Sequence, residues 1–132
     1  MKDERGSMVV ETVILTPVLV LLLSFVVYAS RVVTAQHEIN RAADVAARAA
    51  SQSRISSVTR VGMEVAESSL RENKVPCQEL KTRVSRKSIS GVSHVEVQTQ
   101  CVVNIRGLSL LGIRSPVVSS VSTEVIDVYR HP

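Results

Sequence analysis

The chain has 132 residues, a net charge of +4, a pI near 9.5 and a hydrophobic content of 45%, of which little is aromatic. This length accommodates one small domain beside a membrane segment. The lack of Trp and the 2% aromatic content argue against a base-stacking surface. Because acidic residues are interspersed with basic ones, the charge predicts a solvated, mildly basic surface and no direct nucleic-acid binding.

An uncharged stretch dominated by Val and Leu covers residues 12–30. A helix of about 20 such residues crosses the ~30 Å hydrocarbon core of a bilayer. One carboxylate, Glu11, lies at the N-terminal end of this stretch, and a charged residue next to lipid is costly enough to suggest a function. A short charged leader, residues 2–5, precedes it and is followed by Gly6.

Three interpretations fit this N-terminal region: a secretory signal peptide that is removed, a plain single-pass anchor, or a segment that is cut after Gly6 and keeps its apolar helix. The apolar core is long for a signal peptide, and a charged, helix-forming stretch continues directly after Ala29. The third interpretation is favoured, because the small Ser7 follows Gly6 and Glu11 becomes the fifth residue of the processed chain. Glycine lets the backbone enter a protease extended. The freed amine of Ser7 could then pair with Glu11 of a neighbouring copy.

Positive charges do not decide the orientation of this helix. Lys2 and Arg5 precede the apolar stretch, and Arg31, Arg41 and Arg48 follow it closely. The positive-inside rule therefore leaves both orientations open.

Pro17 lies inside the apolar stretch and removes one backbone donor, which predicts a bend near residues 13–17. Thr12 and Thr16 are close enough for a hydroxyl to satisfy the freed carbonyl. Pro17 is therefore predicted to be a helix kink.

From Arg31 the chain becomes amphipathic without a break. Small and apolar residues recur at spacings of three and four, typical of one packed helix face: Val32, Ala35, Ile39, Ala42, Ala43, Ala46, Ala49 and Ala50. No Gly or Pro intervenes between Pro17 and Arg54, which predicts one long helix. The alanine stripe fits packing against the protein's own domain and equally against another helix in an assembly.

The serine-rich segment 51–57 predicts the end of this helix and a new N-cap. A second, shorter helix is expected from Val58 to about Arg71, weakened slightly by Gly62. Asn73 and Pro76 should end it.

After Cys77 the period changes to two, which predicts strands. Residues 80–85 alternate, Ser90 and Gly91 indicate a hairpin turn, and residues 94–105 form the clearest strand, followed by a last strand over 117–129. Two cysteines fit one disulfide outside the cytoplasm, or two buried thiols inside it. Cys101 faces inward and could meet Cys77 if the connection passes beneath it; such a bridge would contribute ~3 kcal/mol.

Between the last two strands lies an apolar loop over residues 106–115. It carries Leu108, Leu110, Leu111 and Ile113. The loop either folds back over the sheet edge or the helices, or forms a patch for a partner subunit or the membrane surface.

The predicted fold is α+β: a long N-terminal transmembrane and amphipathic helix, a second shorter helix, and a small antiparallel sheet of about three strands. His37, His94 and His131 are scattered and accompany no carboxylate pair, phosphate loop, metal-ligand spacing or nucleophile motif. The sequence therefore predicts no enzyme activity, no catalytic residue, no metal and no cofactor.

Taken together, several features resemble the TadE-like pseudopilins of tight-adherence (Flp-type) pili, over nearly the whole chain. These are the leader with Arg5-Gly6-Ser7, the sequence Val9-Val10-Glu11-Thr12, Pro17 in the apolar helix and the alanine-rich continuation "RAADVAARAAS". They also include one cysteine before the strand region, a second cysteine within it, and the sequence "VIDVYR" near the end. The resemblance implies a leader at 1–6, a transmembrane and amphipathic helix at 7–55, and an extracytoplasmic domain at 56–132. It also implies that Cys77 and Cys101 form a disulfide.

The resemblance further implies a minor pilin-like subunit that is processed after Gly6 by a prepilin peptidase and helps to assemble a type IV pilus. Implied partners are other pilin or pseudopilin subunits, the peptidase and the inner-membrane assembly platform, in a hetero-oligomer. The N-terminus would be cytoplasmic, and the protein would reside in the membrane or in a surface pilus. The alternatives are a single-pass anchored interaction domain with an unrelated partner and a secreted domain with a cleaved signal peptide.

Overall fold

A computed structural model describes residues 5–127 and residue 129, with side chains from residue 9 onward. Most of the predicted leader, residues 1–4, lies outside the described residues, as do Val128, which falls in the predicted last strand, and His131.

Two helices precede a three-stranded sheet. The helices are α1 (Arg5–Ser51) and α2 (Val58–Glu72), and the strands are β1 (Cys77–Ile89), β2 (Val92–Val103) and β3 (Val117–Val125). The sheet is antiparallel in the order β1-β2-β3, and a short 3₁₀ turn, Ser109–Leu111, lies between β2 and β3. The predicted α+β fold is confirmed.

Helix α1 has 47 residues, which corresponds to a length of about 70 Å. Its second half forms the core. Six alanines of this half are completely buried, together with Ile39: Ala35, Ala42, Ala43, Ala46, Ala47 and Ala50. Because α1 packs across β2 and β3 and against α2, the alanine stripe packs on the protein's own domain in these turns.

The helix ends and turns follow local chemistry. Ser51 Oγ and Ser53 Oγ donate to the carbonyls of Arg48 and Ala50, where α1 ends. Ser57 occupies the N-cap position of α2, but its hydroxyl donates to the Arg54 carbonyl and caps no amide. Asn73 Nδ2 donates to the Ser69 carbonyl at the end of α2, 2.9 Å away.

Helix α2 approaches α1 and β1 closely at Gly62. A Cβ atom there would lie 3.1 Å from Val84 Cγ2 and 3.4 Å from Ala50 Cβ. The glycine that weakens α2 as an isolated helix thus permits the contact of three elements.

Strands β1 and β2 form a hairpin through Ser90 and Gly91, whose φ angles of 52° and 81° match the two left-handed positions of a tight hairpin turn. The inward face of β2 is buried throughout, at Val95, Val97, Thr99, Cys101 and Val103. The alternation predicted for residues 94–105 is therefore confirmed as the central strand of the sheet.

Strand β3 is packed differently from β2. Val118 and the smaller Ser120 and Ser122 lie on the side of the helices, whereas Val121 and Val125 lie on the outer face and are more than half exposed. Small residues face α1 because the alanine surface brings its backbone close. Gln36 Nε2 on α1 also donates to the Ser119 carbonyl at the free edge of β3, 3.1 Å away.

The alanine contact should be sensitive to volume. We expect Ala46→Leu to lower the free energy of unfolding by about 1–3 kcal/mol, because a completely buried alanine leaves no space for three further carbons. Urea unfolding of the full chain in detergent micelles measures this. The adjacent Val45 is 46% exposed, so Val45→Leu is the matched control and should have little effect. Equal stability of the two variants would contradict the packing described above.

Candidate membrane and assembly segment

The first half of α1 exposes an apolar surface on all sides. Its valines, leucines, isoleucine and phenylalanine between residues 9 and 27 have exposed fractions of 47–66%. Scattered apolar residues on a surface are ordinary, but a helix that is apolar all round requires an apolar environment. This half of α1 therefore needs lipid or other helices around it.

Among the described residues, one helix is long and apolar enough to cross a membrane. Its most apolar window of 18 residues has a mean hydropathy of 2.5, and none of that window is buried in the protein. A core helix of a soluble domain would be mostly buried. The segment is compatible with a single-pass membrane anchor near the N-terminus.

Glu11 lies on the exposed surface of α1 beside this segment. Its carboxylate forms no ion pair with any side chain that the structure describes. An ionised carboxylate at the edge of a bilayer is costly unless it is paired. The pairing predicted for Glu11 therefore stays a prediction.

Gly6 and Ser7 lie in the first turn of α1, where only their backbone is described. Ser7 and Glu11 are four residues apart, which places both on one side of the helix, about 6 Å apart along its axis. The predicted cleavage after Gly6 would therefore act on a bond that lies in a helix, and the backbone there would have to become extended to enter the peptidase.

Helix α1 continues through Pro17. Thr16 Oγ1 donates to the Thr12 carbonyl at 2.7 Å, and Ser24 Oγ donates to the Val20 carbonyl at 2.8 Å. These two hydroxyls thus bond to their own helix, as an apolar environment favours. The carbonyl that Pro17 leaves without an amide donor is that of Val13, one residue beyond the carbonyl that Thr16 contacts; a bend at Pro17 stays a prediction.

A shallow apolar groove lies beside Pro17 on the same helix. It is lined by Val13, Thr16, Pro17, Val20 and Leu21. Such a groove between side chains can accept a lipid chain or a ridge of a neighbouring helix.

A disulfide joins Cys77 to Cys101, with their Cα atoms 5.5 Å apart. Cys77 is the first residue of β1 and pairs with Val103, and the register shifts between Cys77 and Glu79. The bond thus lies diagonally across the hairpin, beside the core around Leu70 and Val103. It joins the end of the α2–β1 connection to the central strand.

Arg31 makes a long-range contact that sequence analysis did not predict. Its Nη1 donates to the carbonyls of Asn104 and Arg106, at 3.3 and 3.4 Å. These residues are 73 and 75 positions away in the chain, and nothing in the local sequence around Arg31 indicates the partner. The contact joins the end of the apolar half of α1 to the segment that leaves β2.

The two histidines that the structure describes lie on different elements. His37 is exposed on α1, and His94 Nδ1 lies 2.9 Å from the Val92 carbonyl on the hairpin. Within residues 5–127 and at residue 129, the His, Cys, Asp and Glu side chains form no group that could hold a metal ion.

The TadE-like protein family matches residues 6–48, which include Gly6, Ser7, Glu11 and Pro17. The predicted resemblance is confirmed for this segment, and the match does not extend to the strands. Neither a curated protein nor a solved structure matches the chain.

The disulfide should stabilise the domain. Because it closes a loop of sequence separation 24, we expect Cys77→Ala/Cys101→Ala to lower the free energy of unfolding by about 3 kcal/mol, on chain-entropy grounds. Urea unfolding with and without reductant measures this. Reductant should destabilise the natural chain and leave the double variant unchanged; an effect of reductant on both would contradict the assignment.

Proposed function

We propose, from the TadE-like character of residues 6–48, that the protein is a minor pilin-like subunit that takes part in assembly of a tight-adherence type IV pilus. TadE-like sequences suggest involvement in such systems. The observation that carries the proposal is the unburied apolar half of α1 with Glu11 at its N-terminal end. A helix of this kind can move from lipid into a bundle of similar helices without a change in fold.

The proposal includes processing by a prepilin peptidase between Gly6 and Ser7. A glycine before the cut bond removes the side chain that would obstruct an extended backbone in the peptidase. Cleavage would remove residues 1–6, of which residues 2–5 are charged, and leave a run up to Ser30 in which Glu11 and the new terminus are the only charges.

The new terminus and Glu11 have complementary charges. The α-amino group of Ser7 would be a cation beside lipid, and Glu11 would be an anion one helical turn away. If two mature helices lie side by side with a small axial offset, the amine of one meets the carboxylate of the other. Pairing removes two unfavourable lone charges and sets the offset between subunits.

The proposed partners are other pilin or pseudopilin subunits, the prepilin peptidase and the inner-membrane assembly platform. We place the N-terminus in the cytoplasm and the sheet domain outside it, since disulfides such as Cys77–Cys101 persist in oxidising compartments. The domain after α1 is large for a bulk fibre subunit, which favours a minor role. The proposal assigns the protein no catalysis and no cofactor.

A processing experiment tests the first step. Coexpression of the full chain with a prepilin peptidase from a tight-adherence system should yield a mature chain that begins at Ser7, as measured by intact mass. Gly6→Leu should abolish this cleavage because of the added side chain, and Met8→Leu, two residues beyond the cut, is the matched control.

An unprocessed natural chain in the presence of an active peptidase would contradict the proposal and favour a plain single-pass anchor with an unrelated partner. Cleavage near Ala29 would indicate a secretory signal peptide.

Glu11→Ala tests the second step. We expect normal cleavage but a loss of incorporation into the pilus or its assembly complex of roughly one hundredfold to several thousandfold, since removal of one partner from a buried ion pair costs about 3–5 kcal/mol. Copurification with the other pilin subunits, quantified by mass spectrometry, measures it. Val10→Ala, at the neighbouring apolar position, should assemble normally. Undiminished copurification of Glu11→Ala would reject the proposed pairing.

A further inference from the structure

The segment between β2 and β3 exposes large apolar side chains at a projecting turn. We refer to residues 106–114 as the leucine loop. Leu108 is buried, whereas Leu110 is 92% exposed and Leu111 is 53% exposed. Leu108 anchors the loop in the core, and Leu110 and Leu111 are adjacent at its tip. The described chain leaves these two apolar side chains uncovered.

The leucine loop lies where α1 leaves its apolar half. Arg31 Nη1 donates to the carbonyls of Asn104 and Arg106 at the start of the loop. Leu108 belongs to the core cluster of Ala35, against which Tyr28 and Val32 also pack. The uncharged stretch of α1 ends at Ser30, so the loop is held beside the last turn that the bilayer would contain.

Two amides at the tip of the leucine loop donate to carbonyls of the loop itself. Leu111 N donates to the Leu108 carbonyl at 3.0 Å, and Gly112 N donates to the Ser109 carbonyl at 3.1 Å. Gly107 and Gly112 have φ angles of 91° and 73°, which allow the chain to turn sharply on both sides of this helical turn. Each amide that is paired in this way lowers the cost of placing the tip in an apolar or interfacial environment.

The charged residues of the leucine loop, and Arg31 that donates to its start, are all positive. Arg106 and Arg114 bound the loop and are exposed, and Arg31 lies beside it on α1. No acidic residue occurs between positions 105 and 123. Arginine side chains beside an apolar tip suit a phospholipid surface, because their guanidinium groups reach the phosphates while the leucines enter the acyl boundary.

We propose that the leucine loop is a second membrane contact, which places Leu110 and Leu111 in the headgroup and acyl boundary of the phospholipid bilayer that α1 spans. The inference rests on the proposed membrane-spanning role of α1. Penetration of this kind reaches about 5–10 Å. Two contacts, one spanning and one interfacial, fix the tilt of the sheet domain over the membrane, which a single helix cannot do.

Depth-dependent fluorescence quenching tests the proposal. The chain has no Trp, so Leu110→Trp introduces a single emitter into the full chain, reconstituted in phospholipid nanodiscs with quenchers fixed near the glycerol backbone or near the acyl chain ends. We expect a blue-shifted emission and stronger quenching by the shallow quencher than by the deep one. Leu111→Trp should behave in the same way.

Two control variants calibrate the depth. Leu21→Trp lies in the apolar half of α1 and should be quenched mainly by the deep quencher. Ile89 is the last residue of β1 and pairs with Val92 at the hairpin end of the sheet, about 36 Å along β2 from the end of that strand where the leucine loop begins. Its side chain is 54% exposed, so neither quencher should affect Ile89→Trp.

If Leu110→Trp and Leu111→Trp behave like Ile89→Trp while Leu21→Trp is quenched, the loop does not contact lipid and the proposal is overturned in favour of a protein partner. If Leu21→Trp is not quenched, α1 does not span the bilayer, and the membrane anchorage of the proposed function fails with it.

Discussion

Every part of this structure depends on one helix that must satisfy two environments. The first half of α1 is exposed and apolar, whereas from Ala35 onward the same helix packs against β2, β3 and α2 in the core of a folded domain. No loop separates the two halves, so the direction of the buried half determines the direction of the exposed half. The sheet domain is therefore joined rigidly to the segment that the TadE-like match covers.

The stripe of alanines makes this arrangement possible. Small side chains let the backbones of β2, β3 and α2 approach α1. On α2, Gly62 likewise permits close contact with Ala50 of α1 and Val84 of β1. Such a surface provides little apolar area per residue, so the domain depends on close packing over a long contact. The disulfide then holds the hairpin where the packing around Val75 and Cys77 is only partly buried.

Most of the fold could be predicted from the sequence because its apolar residues recur with regular spacing, at every second residue in strands and every third or fourth in helices. The alternation in β2, the turn at Ser90 and Gly91 and the alanine stripe each arise from local patterns, and each agrees with the structure. The outward valines of β3 and the contact of Arg31 with the β2 exit depend on which distant element lies opposite, and local periodicity carries no such information. At the candidate site, Gly6, Ser7, Glu11 and Pro17 were predicted from their spacing and chemistry, and all four lie in the segment that matches the TadE-like family. The pairing of the cysteines was implied by family resemblance and is present in the structure.

Gln36, which donates to the outer carbonyl of Ser119, has a consequence for solubility. An edge strand with unpaired amide and carbonyl groups can pair with a strand of another chain. The other edge strand, β1, carries Lys81, Arg83, Arg86 and Lys87, whose mutual repulsion discourages such pairing. In β3 the only charged residue among nine is Glu124. The Gln36 side chain occupies one backbone acceptor of the β3 edge. In a chain whose α1 had not yet docked, this edge would be free to pair with strands of other chains and to form fibrils.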